Sequence, residues 1–180
     1  MFRVNRMRLF VLICATLLFA AYAGAQAPPP ISLAPVPPAL LNAKTVFISN
    51  AGADSGLFPH PFSGDPDRPY NQFYAAMQSW GRYQLVADPS EADVVFELQL
   101  IAPYGPSNPN KQNGAPDPLP MFRLVIFDRK THYVLWALTE SITMALLQKT
   151  HDNNFDGALT ALTMDLQRLT SASTSSAANH

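Results

Sequence analysis

The chain has 180 residues, 48% hydrophobic and 14% charged, with a formal net charge of −1. That length is ordinary for one domain, and the basic residues are scattered rather than clustered, which excludes nucleic acid and anionic membrane as electrostatic partners. The single cysteine, Cys14, lies within the first twenty-five residues, so neither a disulfide framework nor a thiol nucleophile is expected of the rest.

Arg3, Arg6 and Arg8 precede an apolar run at 9–21 and then the small-residue series Ala21, Tyr22, Ala23, Gly24, Ala25. A basic end, a short apolar run and small residues define a secretory signal peptide, expected over 1–25 and cut near Ala25. The product would be periplasmic or secreted, with no membrane span left after cleavage. It would carry nine basic against thirteen acidic residues, a net of −4. Lipidation is not expected, because Ile13 precedes Cys14 where a small residue should stand.

Residues 26–42 hold Pro28, Pro29, Pro30, Pro35, Pro37 and Pro38, which favour extended geometry and lack sheet donors, so this segment reads as a tether. A single domain is expected over 43–170, with long loops at 50–68 and 103–120 and a disordered serine- and alanine-rich tail at 171–180. Its first strand is predicted at 43–48, ending at the turn-prone Ser49, Asn50, Ala51, Gly52. Pro69 opens a helix whose Tyr70, Phe73, Met77 and Trp80 recur at three- and four-residue spacing, and Gly81 supplies a left-handed end.

A second short strand at 83–86 leads to Asp88-Pro89-Ser90-Glu91, where Asp88 is an N-cap acceptor, Pro89 fits the first helical position and Glu91 places a carboxylate at the third. Asp93 ends this capped turn. The run 94–101 alternates from Phe96 onward and is the third strand. Prolines, asparagines and glycine then break all periodicity over 103–120, a composition that favours disorder. The stretches 122–127 and 133–140 form a hairpin whose connector is shaped by Asp128 and Thr131. The apolar residues 142–147 fit helix or strand equally, and Asn154 can cap a last helix bearing Phe155, Leu159, Leu162, Leu166 and Leu169. The expected fold is α+β: a two-layer α/β sandwich with a mostly antiparallel sheet of about five strands and two main helices on one face. Val134 and Trp136 are expected in its core, and Trp80 likewise packs rather than stacks on a ligand.

Candidate chemistry is sparse. No Gly-x-Ser-x-Gly elbow occurs, and Gly52 to Gly56 is not followed by the Gly-Lys-Ser/Thr of a phosphate cradle. Asp54, His60, Asp65 and Asp67 share one loop, but their spacing matches no calcium loop and Pro59, Pro61 and Pro66 make them turn formers. No catalytic residue, metal or cofactor is therefore assigned. The loop also holds Leu57, Phe58 and Phe62, apolar residues that either fold over the sheet or, with Tyr104 of the second loop, form a partner-binding tip.

Residues 80–86, 88–95 and 128–131 with Leu135 and Trp136 resemble a loose group of exported, uncharacterised bacterial envelope domains. In architecture these are similar to the amino-terminal domain of TolB and to CsgG-like domains. The resemblance runs over about 44–169 and implies an accessory role exerted through protein contacts in the envelope, without shared catalytic machinery. The chain departs from the lipoprotein members in having no cysteine at a lipidation point. The leading expectation is a non-enzymatic envelope accessory or protein-binding domain. The alternatives are a hydrolase or metal-dependent enzyme centred on His60, Asp65 and Asp67, and a small-ligand carrier with an apolar pocket beneath the Leu57 to Phe62 loop.

Overall fold

The computed structural model describes residues 34–176, with side chains through Ser171. The expected signal peptide, the tether up to residue 33 and the end of the tail lie outside the described residues. The elements are α1 (Pro38–Asn42), β1 (Thr45–Ala53), α2 (Arg68–Trp80), β2 (Gln84–Leu85), β3 (Val94–Ile101), β4 (Met121–Asp128), β5 (Val134–Ser141) and α3 (Gln148–Ser176). Two single turns of 3-10 helix, Pro89–Glu91 and Gln112–Gly114, interrupt the connections.

The strands form one five-stranded sheet in the order β2-β1-β3-β4-β5. The long β3–β4 and β4–β5 ladders are antiparallel, and β1 pairs parallel with both β2 and β3. Alternation assigns the faces, since successive side chains in a strand point to opposite sides. Val46 and Ile48, then Phe96, Leu98 and Leu100, then Phe122, Leu124 and Ile126 are buried and pack with Phe73 and Met77 of α2 and Phe155, Leu159, Leu162 and Leu166 of α3. Both main helices therefore cover one face, and the two-layer α+β sandwich expected from the sequence is the fold.

Local chemistry sets the boundaries. Gly81 ends α2 at φ +68°, its N–H donating to the Met77 carbonyl at 3.3 Å. The Ser49 to Gly52 segment does not end β1. Instead the Asn50 side chain accepts from the Gly52 N–H at 2.9 Å, and the register with β3 shifts there, so the turn-prone residues make a bulge inside a longer strand. A second irregularity, between Ile126 and Phe127, pairs Val134 with Phe127 and leaves Val134 57% exposed, outside the core in which the sequence placed it. Trp136 lies opposite Ile126 and is half-buried against the core.

Residues 38–42, which the sequence reading gives to the tether, form α1, and its Leu40 is fully buried. Apolar burial of one leucine, worth about 1.5–3 kcal/mol, draws the end of that segment into the domain. At the other end the backbone of α3 continues to Ser176, through the first residues of the expected tail. The helix also starts earlier than Asn154, at Gln148; Asn154 lies within it and donates its side-chain amide to the Thr143 carbonyl at 2.7 Å.

The end of the sheet where the chain enters is tied by short polar links. Asp88 accepts from the Ser90 N–H at 2.7 Å, and the Glu91 carbonyl accepts from the Thr45 hydroxyl at 3.0 Å. The Asp93 carboxylate accepts from the N–H groups of Lys44 and Thr45 at 2.8 and 3.1 Å, which holds its pKa below the usual carboxylate range. Asp128 accepts from both the N–H and the hydroxyl of Thr131 at 2.7 and 2.9 Å, closing the β4–β5 connector. Asp93→Ala removes two charge-assisted bonds that register β1 against β3. In this solvent-exposed place the expected loss of unfolding free energy is about 1–2 kcal/mol, read from urea denaturation; an unchanged midpoint would show that backbone pairing alone sets the register.

Candidate functional site

Three connections meet at the opposite end of the sheet: 54–67 after β1, 102–120 after β3, and 142–147 after β5. The first is a packed cap. Leu57 and Phe62 are 4% and 0% exposed, and Phe58 packs against the same core. The Phe62 and Phe155 ring centroids are 5.2 Å apart, Phe58 and Phe155 6.2 Å, and Phe122 and Phe155 4.9 Å. These rings fill the space beneath the loop where a carrier's apolar pocket would have to be. Leu57, Phe58 and Phe62 take the packing option of the two the sequence allows, and of the proposed tip only Tyr104, 78% exposed, faces solvent.

A polar clamp holds this cap onto α3. The Arg68 guanidinium donates to Asp152 and Asp156, each at 2.7 Å, and to the Ser63 carbonyl at 2.9 Å, and lies 4.3 Å over the Phe155 ring. Asp152 also accepts from the Ser63 N–H at 3.0 Å, while Gln148 donates to the Pro61 carbonyl at 2.6 Å. Burial pushes the Asp152 carboxyl up, but the bonds from Arg68, Ser63 and Gln148 outweigh it and hold the group far below the usual carboxylate range. Burial also lowers the Arg68 pKa, and the bonds to Asp152 and Asp156 more than reverse that.

His60, Asp65 and Asp67 are engaged separately. The His60 Nδ1 is 3.1 Å from Gln148 Oε1, Asp65 accepts from the Asp67 N–H at 2.9 Å, and Asp67 accepts from the Asn50 side chain at 2.9 Å. Asp54 accepts from the Ala102 N–H at 2.8 Å. These carboxylates shape turns and join loops, and the three residues of the enzyme alternative do not converge. Among the described residues no group of three or more His, Cys, Asp or Glu side chains is placed to hold a metal ion.

The second connection is more ordered than its composition predicts. Gly105 N–H donates to the Asp117 carbonyl and Leu119 N–H to the Pro103 carbonyl, both at 2.8 Å, so 102–105 and 117–119 continue β3 and β4 as a narrow ribbon. Asp117 draws in its tip, accepting from Asn108 and forming an ion pair with Lys111. The third connection is neither helix nor strand. Ile142 is buried with its N–H on the Pro120 carbonyl at 2.8 Å, and the His151 Nε2 donates to the Ala145 carbonyl. Pinned at these points, the connection turns Met144, Leu146 and Leu147 outward, 39%, 101% and 68% exposed.

The result is an apolar end. Tyr104, Leu119, Met144, Leu146 and Leu147 are all exposed on these connections, and Tyr104, Leu119 and Met144 line two open clefts. One, of about 550 Å³, is lined by Leu57, Tyr104, Pro118 and Met144; the other, of about 530 Å³, lies between 117–121 and 141–144. Exposed apolar side chains on neighbouring connections make this end the candidate site of the domain. The sequence held one signal for it, an apolar run at 142–147 too short to choose between helix and strand.

No known protein family matches the chain, and no curated protein matches its sequence. Among solved structures it is similar to a DUF4136 family protein from Bacteroides thetaiotaomicron (TM-score 0.48, 14% identity, covering 73% of this chain and 91% of that one). It is also similar to a DUF330 protein from Xanthomonas campestris (TM-score 0.45, 14% identity, 74% and 87%) and to PelC, solved as a dodecamer, from Paraburkholderia phytofirmans (TM-score 0.42, 13% identity, 69% and 88%).

Proposed function

We propose that this chain is an exported, non-enzymatic accessory domain of the bacterial cell envelope that works by binding another envelope protein through its loop end. The observation that carries this reading is the set of exposed apolar side chains on two of the three converging connections, Tyr104 and Leu119 on one and Met144, Leu146 and Leu147 on the other. The signal-peptide pattern at 1–25 supports export, and the resemblance of 44–169 to uncharacterised exported envelope domains supports an accessory role there. Among the described residues no helix is long and apolar enough to cross a membrane.

A photo-crosslinking residue placed at Leu146 or Tyr104 in the producing cells tests the reading, with Lys130, exposed in the β4–β5 connector at the other end, as the control site. The expected outcome is a discrete adduct with one envelope protein from both loop-end positions and none from the control. Equal labelling from all three positions, or no adduct from any, overturns it.

A further inference from the structure

The sheet has a second face, and among the described residues no helix covers it. Both main helices pack on the side of Val46, Phe96 and Leu124, so alternation turns the intervening residues of each strand the other way. Register then sets Phe47, Val95, Phe127 and Val134 side by side in one row across β1, β3, β4 and β5. None of the four belongs to the core beneath the helices; three are half-buried and Val134 is 57% exposed. An apolar row across four strands on an uncovered face is what a second layer packs against.

The same face carries one acid and one base. Glu97 lies opposite Val125 in the next row, and Arg123 lies opposite Gln99 in the row after that. These are the only charged residues that the strands place on this side. They stand on a diagonal of neighbouring strands, and no ion pair among the described residues includes either of them. A lipid or a plain apolar surface laid over the row would desolvate both charges without a counter-charge, which is costly. A second copy supplies both counter-charges itself. A two-fold axis passing between Glu97 and Arg123 sets each against the opposite charge of the other chain and makes the same contact twice.

The area suits such a pairing. The four long strands have eight or nine residues each, and at about 4.8 Å between strands and about 3.4 Å per residue they present a face of about 20 by 27 Å. Two such faces bury about 1,000 Å² together, the lower limit for a specific interface, so the association is reversible rather than permanent.

We infer that the helix-free face of the sheet is a self-association surface, on which two copies of this chain pair about a two-fold axis through the Phe47 to Val134 row and reciprocal Glu97 to Arg123 contacts. It is separate from the loop end and stands whether or not the loop end binds a partner.

Sedimentation equilibrium of the protein purified from the producing cells, over about 1–100 μM, tests it; the mass is expected to rise toward twice that of one chain and stop there. Glu97→Arg alone and Arg123→Glu alone each bring like charges together and are expected to weaken self-association at least about tenfold. An equimolar mixture of these two variants is expected to pair again, because each carries the charges that the other lacks. Circular dichroism reports whether each variant is folded. If either is not, Val134→Asp, a change at an exposed side chain, takes its place and is expected to keep the protein a monomer. A wild-type protein that stays monomeric throughout overturns the inference, as does association that continues past the dimer. So does association that the substitutions leave unchanged, or a mixture of folded single variants that does not pair.

Discussion

Phe62→Ala is expected to lower the unfolding free energy by about 3–5 kcal/mol, a large part of the 5–15 kcal/mol typical of a domain. Phe62 has no exposed surface and lies against Phe58, Phe155 and His151, although it belongs to a loop. Truncation removes buried aromatic area and leaves a hole that Arg68, fixed by its acidic partners, prevents the loop from closing. Urea denaturation measures the loss. Tyr104→Ala, at the same end but facing water, should fall within about 0.5 kcal/mol of wild type. A Phe62 effect as small as that of Tyr104 would mean that the loop is a detachable cover rather than part of the core.

The second large effect concerns the clamp. Arg68→Met leaves the Asp152 and Asp156 carboxylates facing each other without their shared cation. For side chains partly open to water the expected cost is about 2–3 kcal/mol, below the range for fully buried pairs. The change should also alter the response to acid. Asp152 has a folded-state pKa depressed below its unfolded value, so its contribution is fully present above the unfolded value of about 4 and is lost as the pH falls toward the folded value. Wild type should therefore lose stability below about pH 4 more steeply than Arg68→Met or Asp152→Asn. Parallel stability curves for the three proteins between about pH 5 and pH 2 would remove Asp152 from the acid response.

The clamp also marks where sequence reasoning stops. Arg68 and Asp152 are 84 positions apart, and nothing in the composition of either segment announces the other. Local signals fared better when one physical rule acted alone. The alternation of 94–101 is one strand, the Phe73 and Met77 spacing is one helix, and Gly81 ends it. They misled where a tertiary partner competed with the local preference. Asn50 and Gly52 are good turn residues, yet parallel pairing with β3 absorbs them into a bulge. Asn154 is a good cap, yet its amide is used on the Thr143 carbonyl and the helix begins a turn and a half earlier. The loop-end surface was least legible of all, because exposed leucines and core leucines look the same until the chain that covers them is known. Leu146 and Leu162, fully exposed and fully buried, differ in neighbours rather than in kind.

The direction of β1 has a further consequence. The chain enters at Thr45, and nine residues later, at about 3.3 Å per residue, it has travelled about 30 Å to the end where the apolar loops meet. Whatever restrains the protein from its N-terminal side therefore holds the far pole free. The separation between the point where the chain enters β1 and the loop end is thus set by strand length. Residues inserted ahead of α1 would leave that separation unchanged, because α1 with its buried Leu40 and the Lys44 bond to Asp93 already belong to the domain.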